Sequence, residues 1–439
     1  MVRKKITDHN IITTIISTCA GCASINEKLY IVGGYLRDRA LGRKTNDIDI
    51  VAFPSTTRLV ECIEKRVKSR AFTIDKQKRT VRIMPPGTNV HLDFSRPQGK
   101  TILDDLCSRD LTINAMARQI IKTKPGKLID PFEGKKDIHN KTIRFIAEQA
   151  LIHDPLRLLR AHRFAAELGF HIEKHSRSLI HKHCYRIKQC SGERIRDELI
   201  KIFESPRAGQ TFKDMDTTQV LKEILPEVHA CRNVATVYYP KQGLITHCIN
   251  SVENMEYLFQ NISHLFGRHA PRIVSYVKKV DQEGVSRKAL LKYAALLHDI
   301  GKPKTAKKIK GRLRFFMHEE TGAVLIKAIA SRMRMSNRHM AFLQTVARAH
   351  MRPGNLAHVE HITDRAIHRF FYDYGEHALG VLLVSLADRF FYLSRKTIRA
   401  KTDRHQNAIL YIINRFFSRK STILPKPLIN GHQLMKALD

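Results

Sequence analysis

The hydrophobic period changes along this chain, and that change constrains the fold more than any other feature. Up to about residue 145 the apolar residues fall in short runs: the continuous Leu29–Val32, then the alternating Asp47-Ile-Asp-Ile-Val-Ala-Phe53, Phe72/Ile74, Val81/Ile83 and Val90/Leu92/Phe94. Alternation matches the period of a strand, so each run predicts one. Helices are expected over Asn10–Ser24, over Tyr35–Leu41 with Gly42 as its stop, and near Thr57–Val67. From Asp154 the period becomes 3.6. Leu156, Leu159, Phe164 and Leu168 mark a helix stopped at Gly169, and others follow near Ser191–Phe203, Thr246–Phe259, Lys288–His298, Ala323–Arg334 and Leu379–Leu393. The pattern predicts an α+β chain: a small mixed α/β head over 1–145, a helical neck over 146–239, a helical domain over 240–400 and a basic tail over 401–439. Tyr239-Pro240-Lys-Gln-Gly243 marks the boundary between the last two helical segments.

Charge then narrows the partner. The 439 residues carry 77 Lys and Arg against 41 Asp and Glu, a net charge of +36. Such an excess speaks to partners and not to fold. Mean hydropathy is −0.30, and no stretch approaches the ~20 apolar residues of a membrane span. An acidic lipid surface would call for one amphipathic basic helix, whereas the cations run from Arg3 to Lys436. Nucleic acid is therefore the expected partner, and no membrane is. The apolar stretch Ile11–Ile16 is broken by Thr and reads as no signal peptide, which predicts a cytoplasmic protein. Eight cysteines at irregular spacing do not form a disulfide framework, and Cys19-Ala-Gly-Cys22 reads as small residues closing a helix.

Chemistry concentrates first at Asp47 and Asp49. Two residues apart on a strand, they point to one face, and such carboxylates repel unless a cation lies between them. They are natural Mg²⁺ ligands, completed by substrate phosphates and water. Upstream, Gly33-Gly34 lies between a strand and a helix, where backbone N–H groups can approach phosphate oxygens. Arg37 adds a charged fork for phosphate. A phosphate cradle before a metal-binding pair is the layout nucleotidyl transfer needs. A third carboxylate would sit nearer the attacking hydroxyl; Asp93 is the leading candidate, with Asp104 and Asp105 as alternatives.

At this point the chain resembles the class II tRNA nucleotidyltransferases (CCA-adding enzymes) and the related bacterial poly(A) polymerases. The likeness starts in Gly33-Gly34-Tyr-Leu-Arg37-Asp38…Leu41-Gly42…Asp47-Ile-Asp49 and continues in Ser108-Arg109-Asp110-Leu-Thr-Ile-Asn114-Ala115-Met116. It extends through Asp130-Pro-Phe132…Gly134, Asp137-Ile138 and Ile143-Arg144, then His153-Asp154-Pro-Leu-Arg157-Leu-Leu-Arg160…Arg163-Phe164, then Gly192-Glu193-Arg194…Glu198-Leu199. The family usually has a basic residue at Ser108 and Glu at His153. The resemblance implies a DNA polymerase beta-like head that binds metal through Asp47 and Asp49. It further implies ribose recognition by Arg109, Asp110 and Asn114, and base selection by Asp154 with Arg157. Arg160 and Arg163 share that helix face and would reach triphosphate or a stacked base.

Chemistry supports the base assignment. Cytosine and adenine both place an amino donor beside a ring-nitrogen acceptor, while uracil and guanine show the reverse. An Asp acceptor and an Arg donor at i and i+3 on a helix would accept C and A and reject U and G. Alternatively, Asp154-Pro155 is a helix cap followed by proline at the first helical position.

A second constellation lies in the helical domain. His247, then His298-Asp299 before Ile-Gly301-Lys-Pro303, then Asp388 form the ordered set of ligands found in the HD phosphohydrolase superfamily, which this segment resembles. That resemblance implies a second divalent-metal site with Asp299 bridging, and His318 and His350 as added ligands of a two-metal form. It implies hydrolysis of phosphate esters, such as 2′,3′-cyclic phosphates at RNA ends. Near the C-terminus, Pro427-Leu-Ile-Asn-Gly431-His-Gln-Leu434 resembles the start of a terminal segment in relatives, and Arg395, Lys396, Arg399, Lys401, Arg404, Arg415, Arg419 and Lys420 offer contacts to an RNA backbone.

The expected function is completion of the 3′-terminal CCA of tRNA from CTP and ATP, with the acceptor arm held by shape and phosphate. The nearest rivals are a poly(A) polymerase and an enzyme adding only A or only CC. The rival of another class is a metal-dependent phosphohydrolase with an RNA-binding head.

Overall fold

The computed structural model describes residues 8–419, apart from 25, 55, 76–79, 122–125 and 241, together with 423 and 435. Lys420 and the Pro427–Leu434 segment lie outside the described residues. The chain divides into two compact units, 1–186 and 187–439. The division falls within the segment read as the neck, so the Leu156–Leu168 helix, carrying Arg157 to Arg163, belongs to the same unit as the head.

The first unit is built on a seven-stranded sheet of order β3-β4-β5-β2-β1-β6-β7, comprising β1 (Lys28–Val32), β2 (Asp47–Phe53), β3 (Phe72–Asp75), β4 (Thr80–Ile83), β5 (His91–Ser95), β6 (Ala117–Ile120) and β7 (Leu128–Ile129). The β2–β5 pair is parallel and its neighbours are antiparallel. In β2, Ile48, Ile50 and Ala52 are fully buried on one face. On the other, Val51 joins Tyr30, Val32, Leu106 and Ala117 in a core closed by Ile102 and Phe53. Asp47, at the start of that second face, is exposed and Asp49 partly so. Both faces of the strand are therefore needed for packing, and the carboxylates sit where packing ends.

The second unit is helical, apart from a two-stranded hairpin, β10 (Lys307–Ile309) and β11 (Arg312–Arg314), which follows the short strands β8 (Thr142–Ile143) and β9 (His171–Ile172) in chain order. At its centre runs the Arg287–Leu297 helix, buried at every position but Lys288. Its one buried lysine, Lys292, donates to the Ser205 carbonyl at 2.5 Å and to Glu256 at 3.0 Å. The Leu244–Gln260, Asn337–Ala349 and Ala378–Phe390 helices pack around it. The α+β class expected from the two periods is the observed one. No helix among the described residues is long and apolar enough to cross a membrane.

One expectation is corrected. Cys22 ends the Asp8–Cys22 helix, but its sulfur is bonded to Cys62 in the Thr57–Val67 helix. Cys62 lies 40 residues away, so the pairing leaves no spacing signal in the sequence.

Candidate functional site

In the head, strand register gathers the acidic residues. Asp49 pairs with Asp93 across the parallel strands and with Val32 across the antiparallel ones, so Asp47, Asp49 and Asp93 share a face beside the end of β1. Of the alternative third carboxylates, Asp104 caps the Ile102–Cys107 helix through a reciprocal bond with Thr101. Asp105 is taken by Arg109, at 2.9 Å. Burial pushes the Asp49 carboxyl up to about 6, against the pull of Arg109, and the neighbouring Asp93 and Asp47 add to the rise. Crowded, partly desolvated carboxylates of this kind suit a divalent cation and resist ionisation without one.

Gly33 follows directly, with φ of +70°. A Cβ there would stand 2.8 Å from the Arg109 guanidinium and 3.4 Å from Asp49 Oδ2, so glycine brings the backbone against the carboxylate and cation together. Gly34 opens the Gly34–Ala40 helix. Arg37, on that helix, donates to Asn114 Oδ1 at 2.7 Å and forms a fork with Asp38 at 2.9 Å.

Residues 108–114 link the other motifs. Asp110 is buried. Burial would raise its carboxyl, yet Arg160, donating at 2.7 Å, and the Asn114 amide hold it well below the usual carboxylate range. Arg157 donates to the carbonyls of Arg109 and Ser108 at 2.9 and 2.8 Å, tying its helix to the same loop. Asp154 accepts from the Leu156 amide at 3.3 Å but lies before the Leu156–Leu168 helix, whose N-cap is Pro155, so it does not share a helix with Arg157 as an i, i+3 pair was expected to, and proline is not the first helical residue. Three guanidinium groups surround the Phe164 ring, with Arg163 at 4.0 Å, Arg37 at 4.9 Å and Arg160 at 5.4 Å. Arg163 also reaches Glu167 at 3.4 Å. Arg160, expected to reach triphosphate or base, pairs with Asp110, a buried carboxylate that needs a partner.

Two side chains escaped the sequence reading. Arg82 of β4 stands opposite Asp93 and clasps it through two 2.7 Å bonds. His91 Nδ1 lies 2.8 Å from Asp47 Oδ1. The signal was their parity: Arg82 alternates with Val81 and Ile83, which puts it on the carboxylate face.

In the second unit, helix ends converge. His298 and Asp299 cap the central helix, His350 caps the Asn337–Ala349 helix and His318 opens the His318–Arg332 helix. His247 and Asp388 come from helix interiors. His247 Nε2 lies 3.1 Å from Asp388, 3.3 Å from Asp299 Oδ2 and 3.2 Å from His298 Nε2. On the other side, Asp299 Oδ1 lies 3.4 Å from His318 Nε2 and 3.5 Å from His350 Nε2. The Nδ1 atoms of His298, His318 and His350 rest on carbonyls of their own turns at 2.7–2.8 Å, so each Nε2 is aimed inward.

The residues fit a metal. Asp299 Oδ1, His318 Nε2 and His350 Nε2 are buried and lack a hydrogen-bond partner among the described residues. The ligand atoms of His247, His298 and Asp388, and those of His298, Asp299 and His350, lie within 4.8 Å of one another in each set. His298 is common to both sets, and Asp299 turns Oδ2 toward His247 and Oδ1 toward His318 and His350. Burial and the neighbouring acids act in opposition on His298. The acids prevail, and the His298 imidazole is held above the usual histidine range. Lys302, also unforeseen, donates to Asp299 Oδ2 at 2.5 Å, and its ammonium lies near Tyr239, which bonds Tyr392 at 3.0 Å.

Several tail cations expected to meet RNA are spent within the chain. Arg415 clasps Asp364, Lys401 donates to the His264 carbonyl, Arg404 to those of His358 and Val359, and Arg395 lies 3.9 Å over Tyr257.

These sites define a class: a divalent-metal nucleotidyltransferase head on one chain with an HD-type helical body. The poly A polymerase head domain matches residues 29–144, the probable RNA- and SrmB-binding site of polymerase A matches 169–232, and the HD domain matches 244–393. The chain is 31% identical to a multifunctional CCA protein of Legionella pneumophila over 339 residues, which is 74% of each chain. It is 33% identical to a CC-adding tRNA nucleotidyltransferase of Geobacter sulfurreducens over 275 residues, 62% of this chain and 60% of that relative. The fold is similar to the Thermotoga maritima CCA-adding enzyme complexed with tRNA, with a TM-score of 0.65 at 21% identity, covering 98% of this chain and 87% of that one. The chain belongs to the tRNA nucleotidyltransferase and poly(A) polymerase family.

Proposed function

We propose that the chain adds or completes the 3′-terminal CCA of tRNA, using CTP and ATP and releasing pyrophosphate. The observation that carries the reading is the register of Asp49 with Asp93 beside Gly33 and Arg109. Asp47 and Asp49, with Asp93, would hold Mg²⁺, which when bound supplies charge neutralisation of the triphosphate and activation of the RNA hydroxyl. The chain's own groups do the rest. The Gly33 backbone approaches phosphate, and Arg37 with Arg109 presents positive charge to it. Asp110 and Asn114 order the ribose-facing loop. Asp154 and Arg157 read the amino edge shared by cytosine and adenine, with Arg157 anchored on the loop that holds the sugar. The proposed compartment is the cytoplasm, where tRNA substrates are found.

The test is incorporation of labelled CTP and ATP into tRNA lacking CCA, by wild type and by Asp49→Ala. Wild type incorporates both and the variant neither; a wild type without incorporation overturns the reading. Long A tails on arbitrary RNA would favour the poly(A) polymerase alternative, and addition of C alone or A alone a specialised enzyme.

A second reading concerns the body. The buried, unpartnered atoms of Asp299, His318 and His350 favour a metal-dependent phosphohydrolase centre, with His247, His298, Asp299 and Asp388 as ligands. Phosphodiesterase activity of wild type with added divalent metal, lost in His298→Ala/Asp299→Ala, tests it; a metal-loaded wild type without activity removes it.

A further inference from the structure

Between two residues of the HD-type centre, Asp299 and His318, the chain leaves the helical body as the β10–β11 hairpin. From Lys304 to Arg314 it carries six cations and no acid: Lys304, Lys307, Lys308, Lys310, Arg312 and Arg314. All six are exposed, and none has a carboxylate within 4 Å among the described residues. This separates them from the tail cations, many of which are bound to the chain's own groups. Pairing even sets Lys307 directly opposite Arg314, where like charges repel. The turn is tight, with φ of +46° at Lys310 and +75° at Gly311, so the repulsion is built into an ordered hairpin. Such an arrangement is best satisfied by an external polyanion.

The hairpin is also fixed to the centre. Tyr238 donates to the Leu313 carbonyl at 3.0 Å and meets Phe315 edge-on. The Lys302 ammonium, bonded to Asp299, lies 5.7 Å from the Phe315 ring. Beyond it Phe316 is 69% and Met317 64% exposed, immediately before His318. Cations that track a backbone, followed by an exposed aromatic ring, are what a single strand of nucleic acid requires.

We propose that this hairpin is a docking arm for single-stranded RNA, which presents a terminal phosphate ester to the HD-type centre and makes an RNA end, not a free nucleotide, its substrate. The catalytic part rests on the phosphohydrolase reading; the docking part does not. In the reaction, water adds to the phosphorus of a 2′,3′-cyclic end, one ring P–O bond breaks, and the released ribose oxygen takes the proton.

The test compares full-length wild type with a variant carrying Lys307→Gln, Lys308→Gln, Lys310→Gln, Arg312→Gln and Arg314→Gln. One probe is a 12-nucleotide RNA with a 2′,3′-cyclic phosphate end; the other is 2′,3′-cyclic AMP. Wild type should prefer the RNA by at least tenfold in kcat/KM. The variant should lose that preference while hydrolysing the mononucleotide within twofold of wild type. Its dependence of KM for RNA on salt should flatten, since every phosphate left unneutralised lowers the slope by about 0.7. An unchanged RNA preference in the variant overturns the proposal. Separately, the 12-mer with 4-thiouridine at its 3′ end should crosslink to residues 302–317 in wild type and not in the variant. Crosslinks confined to other segments overturn docking even if hydrolysis is seen. If neither probe is hydrolysed, the phosphohydrolase reading and the RNA-end substrate fall together, and the crosslink alone decides docking.

Discussion

Replacing Asp49 with Asn should abolish nucleotide addition and yet stabilise the metal-free head. The Asp49 carboxyl is pushed from its ordinary 3.8 up to about 6, first by burial and then by Asp93 and Asp47. An acid with a higher pKa folded than unfolded binds the extra proton in the folded state between the two values. Folded stability therefore falls as pH rises from about 4 to about 6, and the loss is complete above it. The rise from 3.8 to about 6 corresponds to about 3 kcal/mol at pH 7.5 and about 1 kcal/mol at pH 4.5. For a unit of this size that is a gain of roughly 6–12 °C in Tm for Asp49→Asn at pH 7.5. The assay is thermal unfolding in a chelator, followed by hydrogen exchange of strand amides in β2 and β5 so that the head is read apart from the helical body. Added Mg²⁺ should stabilise wild type and not the variant. A variant no more stable than wild type at pH 7.5, or one whose gain is undiminished at pH 4.5, would refute the electrostatic account of this site.

Other consequences can be measured directly. Arg82→Ala removes the two-bond clasp on Asp93 and should lower nucleotide addition at least tenfold while raising the Mg²⁺ concentration needed; Mn²⁺ titration by electron paramagnetic resonance reads the affinity apart from turnover. Gly33→Ala places a methyl group against Arg109 and Asp49 at a positive φ, and should cost at least tenfold in kcat/KM with an unaltered circular dichroism spectrum. Asp154→Ala and Arg157→Ala should each admit UTP or GTP, narrowing the preference for CTP and ATP by about tenfold; unchanged selectivity in both would sink the base-reading assignment. His298→Ala/Asp299→Ala should lose bound divalent metal, measured by elemental analysis, while CCA addition by the head persists.

The strands β2 to β5 were legible because their apolar residues alternate, and β1 because it is a short continuous apolar run ended by glycine. By contrast β6, Ala117-Arg-Gln-Ile120, has too little apolar contrast to announce itself. Sheet order was not legible either, and it is the order that sets Asp93 beside Asp49. The motifs located Arg160 and the tail arginines, but not their partners, since a buried carboxylate such as Asp110 claims its cation through packing. In the body, His298-Asp299 stood out as a doublet, whereas Lys302 and Tyr239 are ordinary until the fold brings them to Asp299. The hairpin was hidden for a related reason: charged residues on both of its strands mask the alternation that marks a strand.

The central claim is tested most directly by giving the purified chain tRNAs lacking CCA, lacking CA and lacking only A, with CTP and ATP singly and together, and sequencing the 3′ ends. The expected result is addition of C, C and A in turn, stopping at CCA without a nucleic-acid template and failing with UTP and GTP. Ends left unextended by both nucleotides, or extended without regard to base, would contradict it.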